Sequence, residues 1–372
     1  MIVSATTGTF FSVENHSPEF RESASRKLGG SLLFVANSKK SFSCSLQVKA
    51  NSQAPPHVNG SNVCLKHDHR LNVDPFGPGK LMEDGFVFRQ SFSIRSYEIE
   101  ADRVASIEMM MNLLQETSLN HMKSIGFMGT GFGSTPEMSK RNLIWVVMKM
   151  QVSIDRYPTW GDAIKIDTWM AASGKNGTRR DWLVRDSNTG DILMRASSLW
   201  VMMNKETRKL SKIPDQVKTE SEVTFVDLPP VLDGDSRKLP KLDEITADYT
   251  RTGLTPKWSD LDVNQHVNNV KYIGWILESA PMQDLEGYEL VGMTLEYRRE
   301  CRRDSVLQSL TSVLQNAVGN FANPSNVECQ HLLRLESGED VVKGRTEWRP
   351  RFANITKNWV QESEKYSHDL HS

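Results

Sequence analysis

The residues best suited to chemistry lie in one dense polar run, Asp260–Asn269. Asp and Asn are ordinary at the start of a helix, where they cap free backbone N–H groups. This run, however, concentrates two carboxylates, an imidazole and several amides, which is more than capping requires. Neighbouring carboxylate and imidazole groups activate water, attack carbonyl carbons and move protons. The run therefore predicts an active site built on Asp262, Asn264 and His266.

A second group of reactive residues follows Leu290–Arg299, whose alternation of apolar and polar residues predicts a half-buried strand. The strand ends in a charged run that contains Glu300 and Cys301. On its own, such a run is typical of a solvated turn. In a helix-on-sheet unit, however, the end of a strand can face the start of a helix. We therefore expect Glu300 or Cys301 to meet Asp262, Asn264 and His266.

A long helix and a meander of strands are the elements that must position such residues. Apolar spacing predicts a helix over Ala101–Gly126, with Ile107, Met111, Leu114 and Leu119 on one face. Strands are predicted at 142–154, 163–170, 180–185 and 192–203, with turns between them. A second helix is expected to begin in the polar run, with Val263, Val267, Val270, Gly274 and Leu277 on its apolar face, where Gly274 would let a sheet pack closely. This order of elements indicates an α+β fold.

The chain also repeats itself at an offset of 148 residues. Asn120–Gly126 matches Asn268–Gly274, and Gly190 and Trp200 match Gly338 and Trp348. The period is too long for a solenoid and predicts one helix-plus-sheet unit present twice. At this offset Leu114, Glu116 and Ser118 stand opposite Asp262, Asn264 and His266. Because the first half lacks the polar set, we expect one active site, in the second half.

The first 60 residues differ in composition from the rest. They hold eleven Ser, six Lys or Arg, three Glu and no Asp. Serine-rich, basic leaders are typical of organellar transit peptides, with a plain disordered tail as the alternative. The predicted organisation is a leader over 1–60, a linker over 61–84, domains over 85–215 and 246–350 joined by a linker over 216–245, and a tail over 351–372.

Composition argues against several other classes of protein. A net charge of -1 and a pI near 6.8 lack the basic excess of a dedicated nucleic-acid-binding protein. No apolar stretch reaches the roughly 18 residues of a membrane helix. Four scattered cysteines without a CxxC pair predict neither a disulfide framework nor a structural zinc site. A reducing compartment is therefore expected.

Four strings of residues carry a resemblance to a known family: Asp262–Trp275, Tyr297–Cys301, Asn176–Trp182 and Trp200–Asn204. They resemble the plant FatB-type acyl-ACP thioesterases, over about residues 84–348. The resemblance implies two tandem hotdog domains, each an antiparallel sheet wrapped around a long central helix. It also implies release of mainly saturated fatty acids from acyl carrier protein in the plastid stroma, with no cofactor or metal, and a homodimer.

The resemblance also implies roles for single residues. The family's proposed catalytic set falls on Asp262, Asn264, His266 and Glu300, with Cys301 as nucleophile in an alternative Cys-His-Asn scheme. Water, Asp262 and Cys301 all stay open as the nucleophile. Backbone N–H groups over 264–268 are expected to hold the oxyanion.

The acyl chain and its carrier need sites of their own. Thirteen of the sixteen methionines lie between Met82 and Met203. Methionine suits a pocket for a flexible chain, although filling a core is its commoner use. The predicted pocket residues are Met109, Met110, Met111 and Leu114. An acidic carrier requires a basic surface, for which the candidates are Lys175, Arg179 and Arg180 in the first half and Arg298, Arg299, Arg302 and Arg303 in the second.

Two other functions remain as alternatives at this point. A hotdog hydratase or dehydratase would act on the same carrier-bound chains, because a fold does not determine a reaction. A catalytically silent acyl-binding module would bind acyl carriers without turnover.

Overall fold

The structure, a computed structural model, describes residues 77, 79–82, 85–127, 134–234, 237, 241–281, 285–314 and 326–351. The predicted leader over 1–60 lies outside these residues, as do most of the linker over 61–84 and nearly all of the tail. Among the helices of the described residues, none is long and apolar enough to cross a membrane.

Twelve strands of the described chain form one antiparallel sheet. They are β1 (Lys80–Leu81), β2 (Phe88–Ser93), β3 (Leu143–Ile154), β4 (Ala163–Ser173), β5 (Gly177–Asp186), β6 (Ile192–Asn204), β7 (Leu210–Ser211), β8 (Tyr249–Leu254), β9 (Tyr288–Tyr297), β10 (Leu307–Leu314), β11 (Val327–Leu335) and β12 (Asp340–Pro350). Their order is β1-β2-β4-β5-β6-β3-β9-β12-β11-β10-β8, and β7 pairs with β6. The strands predicted from alternation agree closely with β3, β4, β5, β6 and β9.

The described chain has more helices than the two that the sequence predicted, and both predicted helices begin later than expected. They are α1 (Ile107–Ser124), α2 (Pro136–Lys140), α3 (Asp215–Glu222) and α4 (Lys271–Leu277), with a 3-10 turn at Trp258–Asp260. The first helix begins at Ile107 rather than Ala101, because Ser106 Oγ accepts from Met109 N at 3.1 Å and caps it. The residues before it form a turn in which Arg103 has a φ of 66°.

The second helix also differs from the prediction. It begins at Lys271, after the polar run, so Val263 is 62% exposed instead of lying on an apolar face. Val267 and Val270 are buried as expected. A side chain at Gly274 would meet the Glu108 carboxylate of α1, so this glycine lets two helices approach rather than a helix and a sheet.

The sheet consists of two halves with the same strand arrangement. In the first half β2, β4, β5, β6 and β3 lie side by side, and in the second half β8, β10, β11, β12 and β9 follow the same plan. The halves meet where β3 pairs with β9, from Lys149 opposite Glu296 to Ser153 opposite Gly292. One core of buried residues extends over both halves and includes residues of α1 and α4. The predicted α+β fold of two helix-and-sheet units is therefore confirmed.

The last hairpin of each half keeps the predicted offset of 148 residues. Gly190 and Gly338 both turn with positive φ, at 80° and 99°. The indole N–H of Trp200 donates to Ser198 Oγ at 2.6 Å. That of Trp348 donates in the same way to Thr346 Oγ1 at 2.8 Å. The two hairpins are therefore equivalent at the turn and along the second strand, whereas their first strands are related by an offset of 149 residues, from Trp182 to His331.

Candidate active site

The predicted polar run forms a closed loop, residues 260–268, which we call the catalytic loop. Its two ends are joined by Asn268 N, which donates to Asp260 O at 2.8 Å. Within it, Asp262 N donates to His266 O at 2.7 Å. The loop then leads into α4. His266 is therefore held on a short, hydrogen-bonded turn rather than on a helix.

The Asp262 carboxylate shapes this loop from inside. Its Oδ1 accepts from Asn264 N at 2.8 Å and from His266 N at 3.1 Å. Gln265, at the tip, has a φ of 64°, a left-handed conformation that non-glycine residues seldom adopt. Two amide hydrogen bonds to one carboxylate oxygen explain how the chain is held in this turn.

The backbone amides of the loop are already engaged. Asn264 and His266 donate to Asp262 Oδ1, Gln265 to Asp262 O, Val267 to Cys301 O and Asn268 to Asp260 O. An amide has a single N–H to donate. The predicted oxyanion site on the backbone of residues 264–268 is therefore wrong. The loop still presents the exposed side chain of Asn264, whose carboxamide is a hydrogen-bond donor.

The first half contains a copy of this loop with different side chains. Residues 98–106 repeat its hydrogen bonds at an offset of 162 (98 to 260, 106 to 268): Ser106 N donates to Glu98 O at 3.0 Å, and Glu100 N donates to Val104 O at 2.9 Å. Arg103, with a φ of 66°, stands where Gln265 stands.

This copy corrects the alignment drawn from the sequence. The counterparts of Asp262, Asn264 and His266 are Glu100, Asp102 and Val104. They are not Leu114, Glu116 and Ser118, which lie on α1. The first loop thus carries carboxylates but no histidine, which agrees with one active site in the second half.

Glu300 brings a carboxylate oxygen to the catalytic loop. Its Oε2 lies 3.7 Å from Nε2 of His266. The same oxygen accepts a hydrogen bond from Nη2 of Arg208. The His266 side chain is 16% exposed and that of Glu300 35%, so solvent and a substrate can reach both. This separation is longer than a direct hydrogen bond, and a carboxylate and an imidazole so placed can exchange a proton through one bridging water or after closing to hydrogen-bond distance.

Cys301 lies next to this pair in the chain but is fully buried. Its backbone N donates to the Tyr272 hydroxyl at 3.1 Å, and its carbonyl accepts from Val267. Burial raises the pKa of its thiol. Since the thiolate is the nucleophilic form of cysteine, these surroundings do not favour attack by Cys301.

The predicted pocket residues pack into the core of the first half. Met110, Met111 and Leu114 are buried, and Met109 is half-buried. Met110, Met111 and Leu114 all belong to the core that the two halves share. Their position on α1 is compatible with a wall for an acyl chain and equally with plain core packing.

Arg180 is not on the surface, contrary to the prediction that it helps bind a carrier. It lies on β5, is 5% exposed, and its Nη1 is 3.1 Å from His121 Nδ1 and 3.3 Å from Thr168 Oγ1. Burial lowers the pKa of Arg180 to about 9. Burial and the charge of Arg180 lower the pKa of His121 to about 3, so this histidine is neutral. Side chains two positions apart on a strand point to the same face of the sheet. Trp182 donates its indole N–H to Leu114 O of α1, and Arg180 therefore faces α1 as well.

The other basic candidates differ in what they contact. Arg179 pairs with Asp181 at 2.8 Å, and Arg298 pairs with Glu296. Arg302 and Arg303 are exposed and line a groove of about 470 Å³ together with Trp258, Leu261, Gln265 and Asp304. The Arg303 guanidinium lies 5.4 Å from the ring centroid of Trp258, which is 65% exposed. Because Gln265 belongs to the catalytic loop, this basic groove adjoins His266.

Sequence reasoning missed Arg208. The sequence around it carries an ordinary turn signal after β6, but Arg208 and Glu300 are 92 positions apart. Nothing in the local pattern of either residue points to the other. Within the described parts of the chain, no three or more His, Cys, Asp or Glu side chains are grouped so as to hold a metal ion.

Two sequence profiles cover most of the described chain. The profile of the acyl-ACP thioesterase N-terminal domain matches residues 85–220, and that of the acyl-ACP thioesterase C-terminal domain matches residues 243–350. A third profile, described as acyl-ATP thioesterase, matches residues 1–75.

Individual proteins are similar along most of their length. The chloroplastic palmitoyl-acyl carrier protein thioesterase of Gossypium hirsutum is 52% identical over 413 aligned positions, covering 97% of this chain and 98% of that protein. The protein of the same name from Arabidopsis thaliana is 53% identical over 409 positions, covering 96% and 99%. The solved structure of the 12:0-ACP thioesterase from Umbellularia californica has a TM-score of 0.67 and 53% identity, covering 72% of this chain and 95% of that one.

Proposed function

The chain belongs to the acyl-ACP thioesterase family, and we propose from this premise that it hydrolyses the thioester of fatty acyl-ACP in plastid fatty acid synthesis. The observation that carries the proposal is the meeting of His266 and Glu300 beside the catalytic loop, 3.7 Å apart and partly exposed. A general acid–base pair of this kind is what hydrolysis of a thioester needs. Release of the fatty acid ends elongation of the chain.

The nucleophile we propose is water. One proton of the water passes to the pair formed by Glu300 and His266. At the same time the water oxygen bonds to the thioester carbon, and the carbonyl becomes an oxyanion. The exposed carboxamide of Asn264 donates a hydrogen bond to that oxyanion. The C–S bond then breaks, the sulfur receives the proton, and free acid and carrier thiol leave. Asp262 keeps the loop in shape through its two amide hydrogen bonds.

The carrier docks, in this proposal, on the groove beside the catalytic loop. Acyl carrier protein is acidic, and Arg302 and Arg303 are exposed there, with Asp304 as the one opposing charge in the lining. Trp258 offers an apolar face next to them. A thioester delivered across this groove would reach His266 by way of Gln265. The groove therefore joins charge complementarity to short access.

Several finer predictions rest on the family resemblance and form part of the proposal. The relatives are named chloroplastic, and we place this protein in the plastid, within the stroma. Four further points stay predictions: the transit peptide over 1–60, the domains over 85–215 and 246–350, the pocket of Met109, Met110, Met111 and Leu114, and the homodimer. Light scattering measures the last of these directly.

The test is thiol release from a panel of acyl-ACPs with chains of eight to eighteen carbons. The relatives are named for palmitoyl and 12:0 substrates, so the panel spans both. We expect release by the wild type. In His266→Ala and Glu300→Gln we expect kcat to fall by about 10²- to 10⁴-fold, because each removes one of the acid–base groups.

Further arms of the same assay separate the alternatives. Charge reversal in the double variant Arg302→Glu/Arg303→Glu should raise KM for acyl-ACP and leave kcat nearly unchanged, whereas Lys175→Glu, in the other candidate patch, should change neither. A hydratase or dehydratase would alter the acyl chain without freeing a thiol. Binding with no product of either kind would identify a silent acyl-binding module and overturn the proposal.

A further inference from the structure

Glu300 has a partner from the other half of the molecule. The carboxylate oxygen Oε2 that lies 3.7 Å from His266 Nε2 also accepts the hydrogen bond from Arg208 Nη2. Arg208 follows β6, in the first half, whereas His266 and Glu300 belong to the second half. One oxygen therefore faces both the imidazole and a guanidinium. An ion pair of this kind fixes the direction of a carboxylate, because the hydrogen bond is charge-assisted and directional.

The hairpin that presents Arg208 is itself tightly bonded. Asn204 Oδ1 accepts from Glu206 N at 3.0 Å and from Thr207 N at 2.8 Å. Arg208 N donates to Asn204 O at 2.9 Å, and Asn204 N donates to Lys209 O at 2.9 Å. Arg208 therefore lies in a well hydrogen-bonded turn between β6 and β7, which fixes the backbone from which its guanidinium extends.

The backbone of Arg208 is unusual for an arginine. Its φ is 55°, in the left-handed region where glycine is the ordinary residue of such hairpin turns. Its side chain is 25% exposed, and its Nε is buried without a hydrogen-bond partner among the described residues. An arginine is therefore kept where the turn alone favours glycine and where burial of a charged group is unfavourable.

The opposite crossing occurs at the copied loop. Arg351 follows β12, the last strand of the second half, and its Nη2 lies 2.7 Å from Asp102 Oδ2 in the loop of the first half. Each half thus sends an arginine from beyond its long last strand to the loop region of the other. Only at the catalytic loop does this arginine contact a carboxylate that faces a histidine.

From these contacts we infer that Arg208 is a positioning residue for the hydrolytic reaction: it holds the Glu300 carboxylate toward His266. The inference rests on the proposed function and deepens it. The first half then contributes to catalysis as well as to the core, and the active site is complete only when both halves are in place.

The test uses Arg208→Gly, because glycine fits a φ of 55° and the turn should keep its stability. We expect kcat for acyl-ACP to fall about 100-fold, with KM changed less than about threefold, because the reacting groups lose alignment while the substrate contacts remain. Guanidinium ion at a non-denaturing concentration should restore part of kcat. Arg208→Lys should retain more activity than Arg208→Gly.

Matched variants distinguish positioning from a general effect on the fold. Arg103→Gly makes the same change at a φ of 66° in the copied loop, and we expect it to leave kcat unchanged. If Arg208 acts through Glu300, then Arg208→Gly added to Glu300→Gln should cause no further loss. Arg208→Asn, which also tolerates this backbone, repeats the test if Arg208→Gly fails to fold.

Three outcomes would overturn the inference: full kcat in Arg208→Gly, a loss that multiplies with that of Glu300→Gln, or a loss that follows Tm and is not rescued by guanidinium. Failure of the proposed function looks different, because the wild type would then release no thiol at all. If the wild type hydrolyses acyl-ACP and Arg208→Gly has the same kcat as the wild type, only the role of Arg208 is rejected.

Discussion

At the scale of single residues, the catalytic loop and its copy differ in the side chain that stands next to each of them. Ala105 N donates to Pro158 O at 2.8 Å in the first half, just as Val267 N donates to Cys301 O at 2.9 Å in the second. Tyr157 therefore stands where Glu300 stands. Its hydroxyl donates to the backbone of β9 at 3.0 Å. The position that holds the proposed acid–base carboxylate in one half holds a residue with a structural hydrogen bond in the other.

Cys301 provides a direct test of the choice of nucleophile. Because its thiol is fully buried and burial raises its pKa, we expect Cys301→Ser to keep kcat within about threefold of the wild type. The free energy of unfolding should fall by about 1–2 kcal/mol, since burying a hydroxyl costs more than burying a thiol. Thiol release and thermal unfolding measure the two effects.

Cys329→Ser is the matched control, because Cys329 is the other buried free thiol of the described chain. We expect it to be destabilised in a similar way and to remain active. A loss of several orders of magnitude confined to Cys301→Ser would instead support a covalent acyl-enzyme on that residue.

At the scale of elements, the sequence predicted what its periodicity encodes. Alternation located β3 to β6 within a few residues. Helical spacing correctly identified Ile107, Met111 and Leu114 as buried on α1, whereas Leu119 is only half-buried. The start of α4 was misplaced because Asp and Asn suit both a helix cap and the turn that Asp262 closes with two amide bonds. The repeat was aligned correctly at Trp200 and Trp348, which share a hydrogen-bond pattern.

The repeat was misaligned at the loop because the two halves differ in length there. The chain from Ala105 to Pro158 is longer than the chain from Val267 to Cys301, although both segments connect equivalent positions. A single offset cannot accommodate that difference. The meeting of Glu300 with His266 could be expected, since a strand end can face a helix start. Arg208 could not, because its contact depends on how the two halves pair.

The inner face of the second half is packed around a glycine on β12. Gly344 lies opposite His331, as Ala196 lies opposite Trp182 in the first half. A methyl group at Gly344 would come within 2.8 Å of Leu295 Cδ2, in a fully buried place. We expect Gly344→Ala to lower the free energy of unfolding by about 1–3 kcal/mol through overpacking. Denaturant unfolding measures the change.

Ala196→Gly is the reciprocal control. It should destabilise the protein by about 1 kcal/mol, because a buried methyl is lost and the strand becomes more flexible. If Gly344→Ala were as stable as the wild type, the second half would have room for a methyl group at this position, as the first half has at Ala196, and the overpacking argument would be wrong.

At the scale of the whole molecule, the two halves share both a sheet and a core. β3 pairs with β9, and buried residues of α1 and α4 belong to one cluster. We therefore expect calorimetry to show one unfolding transition rather than one for each half. Met150→Ala, at the junction opposite Leu295, should lower Tm without splitting the transition. Two resolved transitions in the wild type would show that the halves unfold independently.

The copied loop has a consequence for engineering. Residues 98–106 adopt the backbone of residues 260–268 without their histidine, so the molecule contains its own reference for that turn. Consider a library that varies both segments. A substitution that is tolerated in the first copy but rejected in the second identifies a position selected for turnover. A substitution that is rejected in both copies identifies a position selected for the turn itself. A single gene thereby supplies the paired measurement that otherwise requires an inactive homologue.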